Sequence, residues 1–97
     1  MAGHFFEVMV KAVVDVEKRR LAVDAELHSD LESFLIQSGS RQKDLWGINL
    51  HVDSPSDDFV EFDSMINIRP AQGNRTRGVN DPKIQTLIRD IVAERIP

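Results

Sequence analysis

The sequence has no cysteine. Disulfides, iron–sulfur clusters and thiolate zinc sites are excluded with it, and so is catalysis through a nucleophilic cysteine. Long apolar runs are missing too: none approaches the roughly 20 residues that cross a bilayer. The opening residues, Met1 to Glu7, lack a positive region followed by an apolar stretch, so no secretory signal is expected. The expectation is a soluble, cytoplasmic protein with no membrane partner. Positive charge is in short supply, with a formal net charge of −4, which argues against nucleic acid as a partner. Glycine-rich phosphate cradles of the Walker or dinucleotide type are lacking, and Ser33, Ser38 and Ser40 sit in no nucleophile elbow. No cofactor and no metal site is therefore expected.

What is present fits one small globular domain over residues 1–97, with its core from about residue 8 to 96. The hydrophobic fraction of 41% is enough for a packed core and unlike a disordered chain. Charge is unevenly spread. Residues 1–64 carry a net −7 and residues 65–97 a net +3, which raises the prospect of a local anion site in the last third.

Hydrophobic periodicity divides the chain. Val8 to Val16 alternates with period two, placing Val8, Val10, Ala12, Val14 and Val16 on one face of a strand. Glu17-Lys18-Arg19-Arg20 breaks the pattern and Leu21 to Glu26 resumes it, which reads as a hairpin of unassigned turn type. Ser29-Asp30-Leu31-Glu32 fits a capping box, followed by a short helix ending at Gly39. Leu45 to Val52 predicts a third strand with Trp46, Ile48, Leu50 and Val52 on one face. Asp53 to Asp58 predicts a solvated acidic turn, without the glycine and terminal glutamate of a calcium loop. Phe59 to Arg69 predicts the fourth and longest strand, interrupted by Ser64. Pro70 to Asn80 is a long polar loop. Asp81-Pro82 then caps a helix whose Ile84, Leu87, Ile88, Ile91 and Val92 share one face. The order is ββαββα: an α+β fold with an antiparallel sheet and both helices on one face. The other face would leave Met9, Val13, Leu45, Phe59 and Met65 open, more apolar surface than a monomer usually exposes, so a homodimer is expected, the alternative being strands buried on both sides in the middle of the sheet.

These residues resemble an uncharacterised bacterial and archaeal family, a domain of unknown function. The likeness lies in Met9-Val10-Lys11-Ala12-Val13-Val14-Asp15-Val16-Glu17, in Glu26-Leu27-His28, in Asp44-Leu45-Trp46-Gly47-Ile48-Asn49-Leu50, and above all in Ile66-Asn67-Ile68-Arg69-Pro70-Ala71-Gln72-Gly73-Asn74-Arg75. The resemblance implies a shared fold and supplies no activity.

The residues themselves point to one region. Arg69, Arg75 and Arg77 lie close together with no acid between them, and Asn74 joins them. Asn67 and Asn49 are nearby if the third and fourth strands pair. Arginine presents a planar fork suited to phosphate or carboxylate, so a small anionic ligand is the expected partner. The alternative is structural: Arg69 pairs with Glu61 or Asp63, and Asn and Gln side chains tie the loop down. His51, Glu61 and Asp63 are candidates for acid–base catalysis in a hydrolase acting on a phosphate-containing substrate, with arginines stabilising the developing charge. Glu26 and His28 share a strand face, although His28 beside Ser29 reads more simply as a local structural group. Binding module, hydrolase and dimeric interaction domain are the three functions left open.

Overall fold

The computed structural model describes residues 9–23, 27–52 and 59–96. Four strands form one antiparallel sheet in the order β2-β1-β3-β4: β1 (Met9–Asp15), β2 (Arg20–Val23), β3 (Leu45–His51) and β4 (Val60–Glu61). Two helices complete the fold, α1 (His28–Gln37) and α2 (Pro82–Arg95). Single 3-10 turns occur at Gln42–Asp44, Met65–Asn67 and Pro70–Gln72. No helix among the described residues is long and apolar enough to cross a membrane.

The hairpin turn that joins β1 to β2 is set by an aspartate. Asp15 is fully buried, and its Oδ1 accepts the backbone N–H groups of Glu17 and Lys18, both at 2.9 Å. Its Oδ2 accepts from the Ser40 hydroxyl. Arg19 closes the turn in the left-handed region, at φ 54°. Residues 24–26, which complete the predicted second strand, and the acidic turn at 53–58 lie outside the described residues, as do Val8 and Glu26.

The helices lie on opposite faces of the sheet, where one shared face was expected. α2 buries Ile88, Ile91 and Val92 against Ala12, Val14, Trp46, Ile48 and Leu50. α1 buries Leu31 and Leu35 against Val13, Ala22 and Leu45. Neighbouring residues on a strand point to opposite sides, so the run Ala12-Val13-Val14 is apolar on both and each side needs cover. The open apolar face behind the dimer expectation is therefore largely covered from within. Val13 and Leu45 are fully buried and Phe59 packs into the first core. Met9 and Met65 stay 46% and 68% exposed.

The fourth strand is two residues long rather than eleven. Ser64 ends it: its hydroxyl accepts the Ile66 N–H, and the chain turns at Met65–Asn67 onto the face that α1 shares. Gly47 makes room for this crossing. A β-carbon there would meet the Ser64 β-carbon at 2.5 Å. Ile66 thus packs in the α1 core, while Val60 packs in the α2 core.

Helix ends follow the expectation unevenly. Asp81 caps α2 by accepting the Lys83 N–H at 2.9 Å, with Pro82 in the first turn. Gly39 ends α1 at φ 104°, and the Ser40 N–H reaches back to the Leu35 carbonyl. The capping box at Ser29 does not form. The helix starts at His28, and its cap position is Leu27, which has no side-chain acceptor.

Candidate functional site

α1 covers β1 and β2 and leaves the far end of the same sheet face polar. There the register sets Lys11 beside Asn49 and Asn49 beside Glu61, one side chain from each of β1, β3 and β4. His51 follows Asn49 on the same face of β3, two residues on. Glu61 Oε1 accepts from Asn49 Nδ2 at 2.9 Å and meets His51 Nε2 at 3.2 Å. Asn49 Nδ2 also donates to the Asp63 carbonyl at 3.3 Å, and the Asp63 carboxylate accepts from Arg77 Nε at 2.6 Å. Asn49 is 6% exposed, and its Oδ1 is buried without a hydrogen-bond partner. Both partners of Nδ2 are acceptors, so the carboxamide orientation is fixed and the orphan is the oxygen.

His28 borders this row from the first turn of α1. Its Nε2 lies 2.7 Å from the Ile48 carbonyl oxygen. Burial lowers its pKa from the ordinary 6.5; the Ile48 carbonyl opposes this, Lys11 and Arg77 add to it, and Asp63 resists. At neutral pH the ring is uncharged, with the proton on Nε2 facing the carbonyl and Nδ1 left as an acceptor. Among the described residues, no three His, Asp or Glu side chains are grouped to hold a metal ion.

The loop residues divide sharply. Asn67 is fully buried: its Oδ1 accepts the Gly47 N–H at 2.8 Å, and its Nδ2 donates to the carbonyls of Gly47 at 2.9 Å and Arg77 at 2.8 Å. One carboxamide thus serves both backbone groups of a β3 residue, as a neighbouring strand would. Arg69 continues the same edge, donating from Nη2 to the Leu45 carbonyl and from Nε to the Ile66 carbonyl. Its guanidinium lies 4.7 Å from the centre of the Trp46 ring. Burial lowers its pKa, with Glu32 and Asp44 opposing. Asn74 donates from Nδ2 to the Asn67 and Gly78 carbonyls, both at 2.8 Å, and accepts the Asn80 N–H. Arg75 is exposed and forms no hydrogen bond or ion pair with a described residue.

The predicted set is therefore split between two places. Asn49, His51, Glu61 and Asp63 converge, and Arg77 joins them through Asp63. Asn67 and Arg69 bond the backbone of the other half of β3, with Arg69 Nη1 left unmet, and Asn74 bonds the backbone of the loop. Lys11 belongs to the polar row as well, and His28 borders it. The alternation of the first strand already put Lys11 on that face, whereas His28 reaches it only through the placement of α1.

Among known families, one described as "Protein of unknown function (DUF5674)" matches residues 1–95. The chain belongs to the DUF5674 family. The match bears out the resemblance to an uncharacterised domain family. No curated protein and no solved structure matches this DUF5674 chain.

Proposed function

We propose that this DUF5674 chain is a small binding module. Its site is the polar row Lys11, Asn49 and Glu61 with His51, bordered by His28 and by Arg77 on Asp63. The observation that supports it most is the buried Asn49 oxygen with no donor, because such an acceptor costs about 1–3 kcal/mol unless something supplies a donor. Beside it, Glu61 and His51 offer further polar atoms, and Lys11 and Arg77 offer positive charge. A small anionic ligand that also carries N–H or O–H groups, such as a nucleotide, matches that set. In this reading Asn67, Arg69 and Asn74 hold the loop in place and do not touch the ligand.

A thermal-shift titration against phosphate, sulfate, nucleotides and short oligonucleotides tests the proposal, with each arm repeated at higher salt. A site ligand raises the melting temperature saturably by mass action. Asn49→Leu and Arg77→Ala should each weaken that shift at least tenfold in ligand concentration. Failure of every compound to shift the melt would remove the reading and leave a dimeric interaction domain through Met9 and Met65. A second reading draws on the His51–Glu61 contact, the geometry of a general base held by a carboxylate. A compound that shifts the melt should then be turned over, and His51→Gln should abolish turnover while leaving binding in place.

A further inference from the structure

The opposite edge of the sheet holds a concave surface, built from different chemistry. It lies where the free edge of β2 meets the last turns of α1 and α2. Arg20, Leu21, Phe34, Leu35, Ser38 and Arg95 line an open cleft of about 380 Å³. That volume is in the range of small-ligand sites, roughly 300–1,000 Å³.

Its lining is mixed, with three apolar side chains and three polar ones. Leu35 is buried, Leu21 is half-buried, and Phe34 is 61% exposed on the surface of α1. Two arginines stand beside this ring, and each is held in a particular way. Arg20 Nη1 donates to the Ser38 carbonyl at 2.8 Å, and Arg95 Nη2 donates to the Arg19 carbonyl at 2.7 Å. Neither forms an ion pair with a described carboxylate, whereas the adjacent Arg19 is paired with Glu94 at 2.6 Å. A neutral carbonyl positions a guanidinium without cancelling its charge. Each arginine has five N–H donors and uses one here, so each keeps donors for an anion. Two cations held by backbone carbonyls, with no ion pair to a described carboxylate, beside an apolar surface are complementary to a molecule with an apolar body and one anionic end.

We propose that this cleft binds an amphipathic organic anion, a medium-length alkyl chain or an aryl group ending in a carboxylate or sulfonate. The apolar part lies against Leu21, Phe34 and Leu35, and the head sits between Arg20 and Arg95. The site shares no residue with the polar row and stands independently of the function proposed there.

The probe is 1-anilinonaphthalene-8-sulfonate, followed by fluorescence on the folded chain at neutral pH, with decanoate, decan-1-ol and inorganic phosphate as competitors. The expected result is saturable fluorescence displaced by decanoate, with decan-1-ol at least tenfold less effective and phosphate inert. Phe34→Ser and the double variant Arg20→Gln with Arg95→Gln should each weaken probe binding at least tenfold. All three side chains reach the surface, and a retained melting transition confirms that the variants fold. Should the double variant not fold, Phe34→Ser and the decanoate-to-decanol ratio on the unmodified chain decide. Absence of saturable binding, equal displacement by the alcohol, or unchanged binding in folded variants would overturn the proposal.

Discussion

The two halves of β3 make opposite use of polar side chains. At Leu45–Gly47 the outer edge has no strand beside it, and Asn67 and Arg69 supply the missing hydrogen bonds from their side chains. The network there is buried: Asn67, Ser64 and Asn74 are each under 5% exposed, and Asn67 has both ends of its carboxamide met, although Arg69 Nη1 and Trp46 Nε1 beside it have no partner. At Asn49–His51 the edge is paired by the β4 backbone, so the side chains of Asn49, His51 and Glu61 are not needed for the ladder. There the network is open, with an acceptor unmet on Asn49 and with Glu61 in solvent. The difference separates two roles that look alike in sequence. Polar residues that replace a strand act in stability, and polar residues beside a real strand are left over for something else.

Asn67 gives the largest test of that contrast. Asn67→Ala removes three hydrogen bonds, two of them buried, and strands the Gly47 N–H and carbonyl, while the Arg77 carbonyl keeps the Ser64 N–H. Leaving buried partners unsatisfied costs roughly 1–3 kcal/mol each, so a loss of about 3 kcal/mol or more is expected in urea unfolding. Asn67→Asp should be nearly as damaging, since it keeps the acceptor for the Gly47 N–H and turns both donor contacts into repulsion. A loss below about 1 kcal/mol would mean that solvent or backbone movement closes the edge, and the side-chain ladder would lose its importance.

Asn49 should behave differently although it is buried on the same strand. Asn49→Leu removes an acceptor that has no donor, and its two lost contacts end on Glu61 and Asp63, which water reaches. Replacing an incompletely satisfied polar group by an apolar one of similar shape is close to neutral, so a change under about 1 kcal/mol is expected. A loss as large as that of Asn67→Ala would place Asn49 in the structural network and weaken the case for a binding row.

Sequence periodicity carried the strands at Met9–Asp15 and Leu45–His51, the burial of Trp46 and the start of α2 at Asp81, because these depend on local alternation and capping. It missed the helix faces. That choice turns on Val13 and Leu45, which strand parity assigns to an open face when the sheet is covered on one side only. Periodicity also overran β4, since Ile66-Asn67-Ile68-Arg69 alternates as a strand does. There a side-chain pairing with Gly47, twenty residues away, wins over the local pattern. The candidate site was legible in its members Asn49, His51, Glu61 and Asp63, whose strand parity is local. The separation of Arg69 from Arg77 was not, because it depends on the partner that each guanidinium finds: backbone carbonyls for Arg69 and the Asp63 carboxylate for Arg77.

The smallest effect sharpens the comparison from the helix side, through His28. Burial lowers its folded pKa below the 6.5 of the unfolded chain, so the unfolded state takes up the proton first. The stability contribution is complete above pH 6.5, falls as pH drops below that value, and levels off below the folded pKa. Lys11 and Arg77 oppose the charged ring and Asp63 favours it, so these neighbours set the depth of the fall. The measurement is urea unfolding from pH 8 to 5 for the unmodified chain and His28→Gln. The substituted glutamine keeps a donor for the Ile48 carbonyl and cannot titrate, so the difference between the two curves should shrink as the pH falls below 6.5. Lys11→Gln should soften the loss in the chain that keeps His28 by removing a neighbouring cation. A difference that stays constant across the range would show that His28 titrates alike in both states. The first turn of α1 would then be electrostatically separate from the polar row.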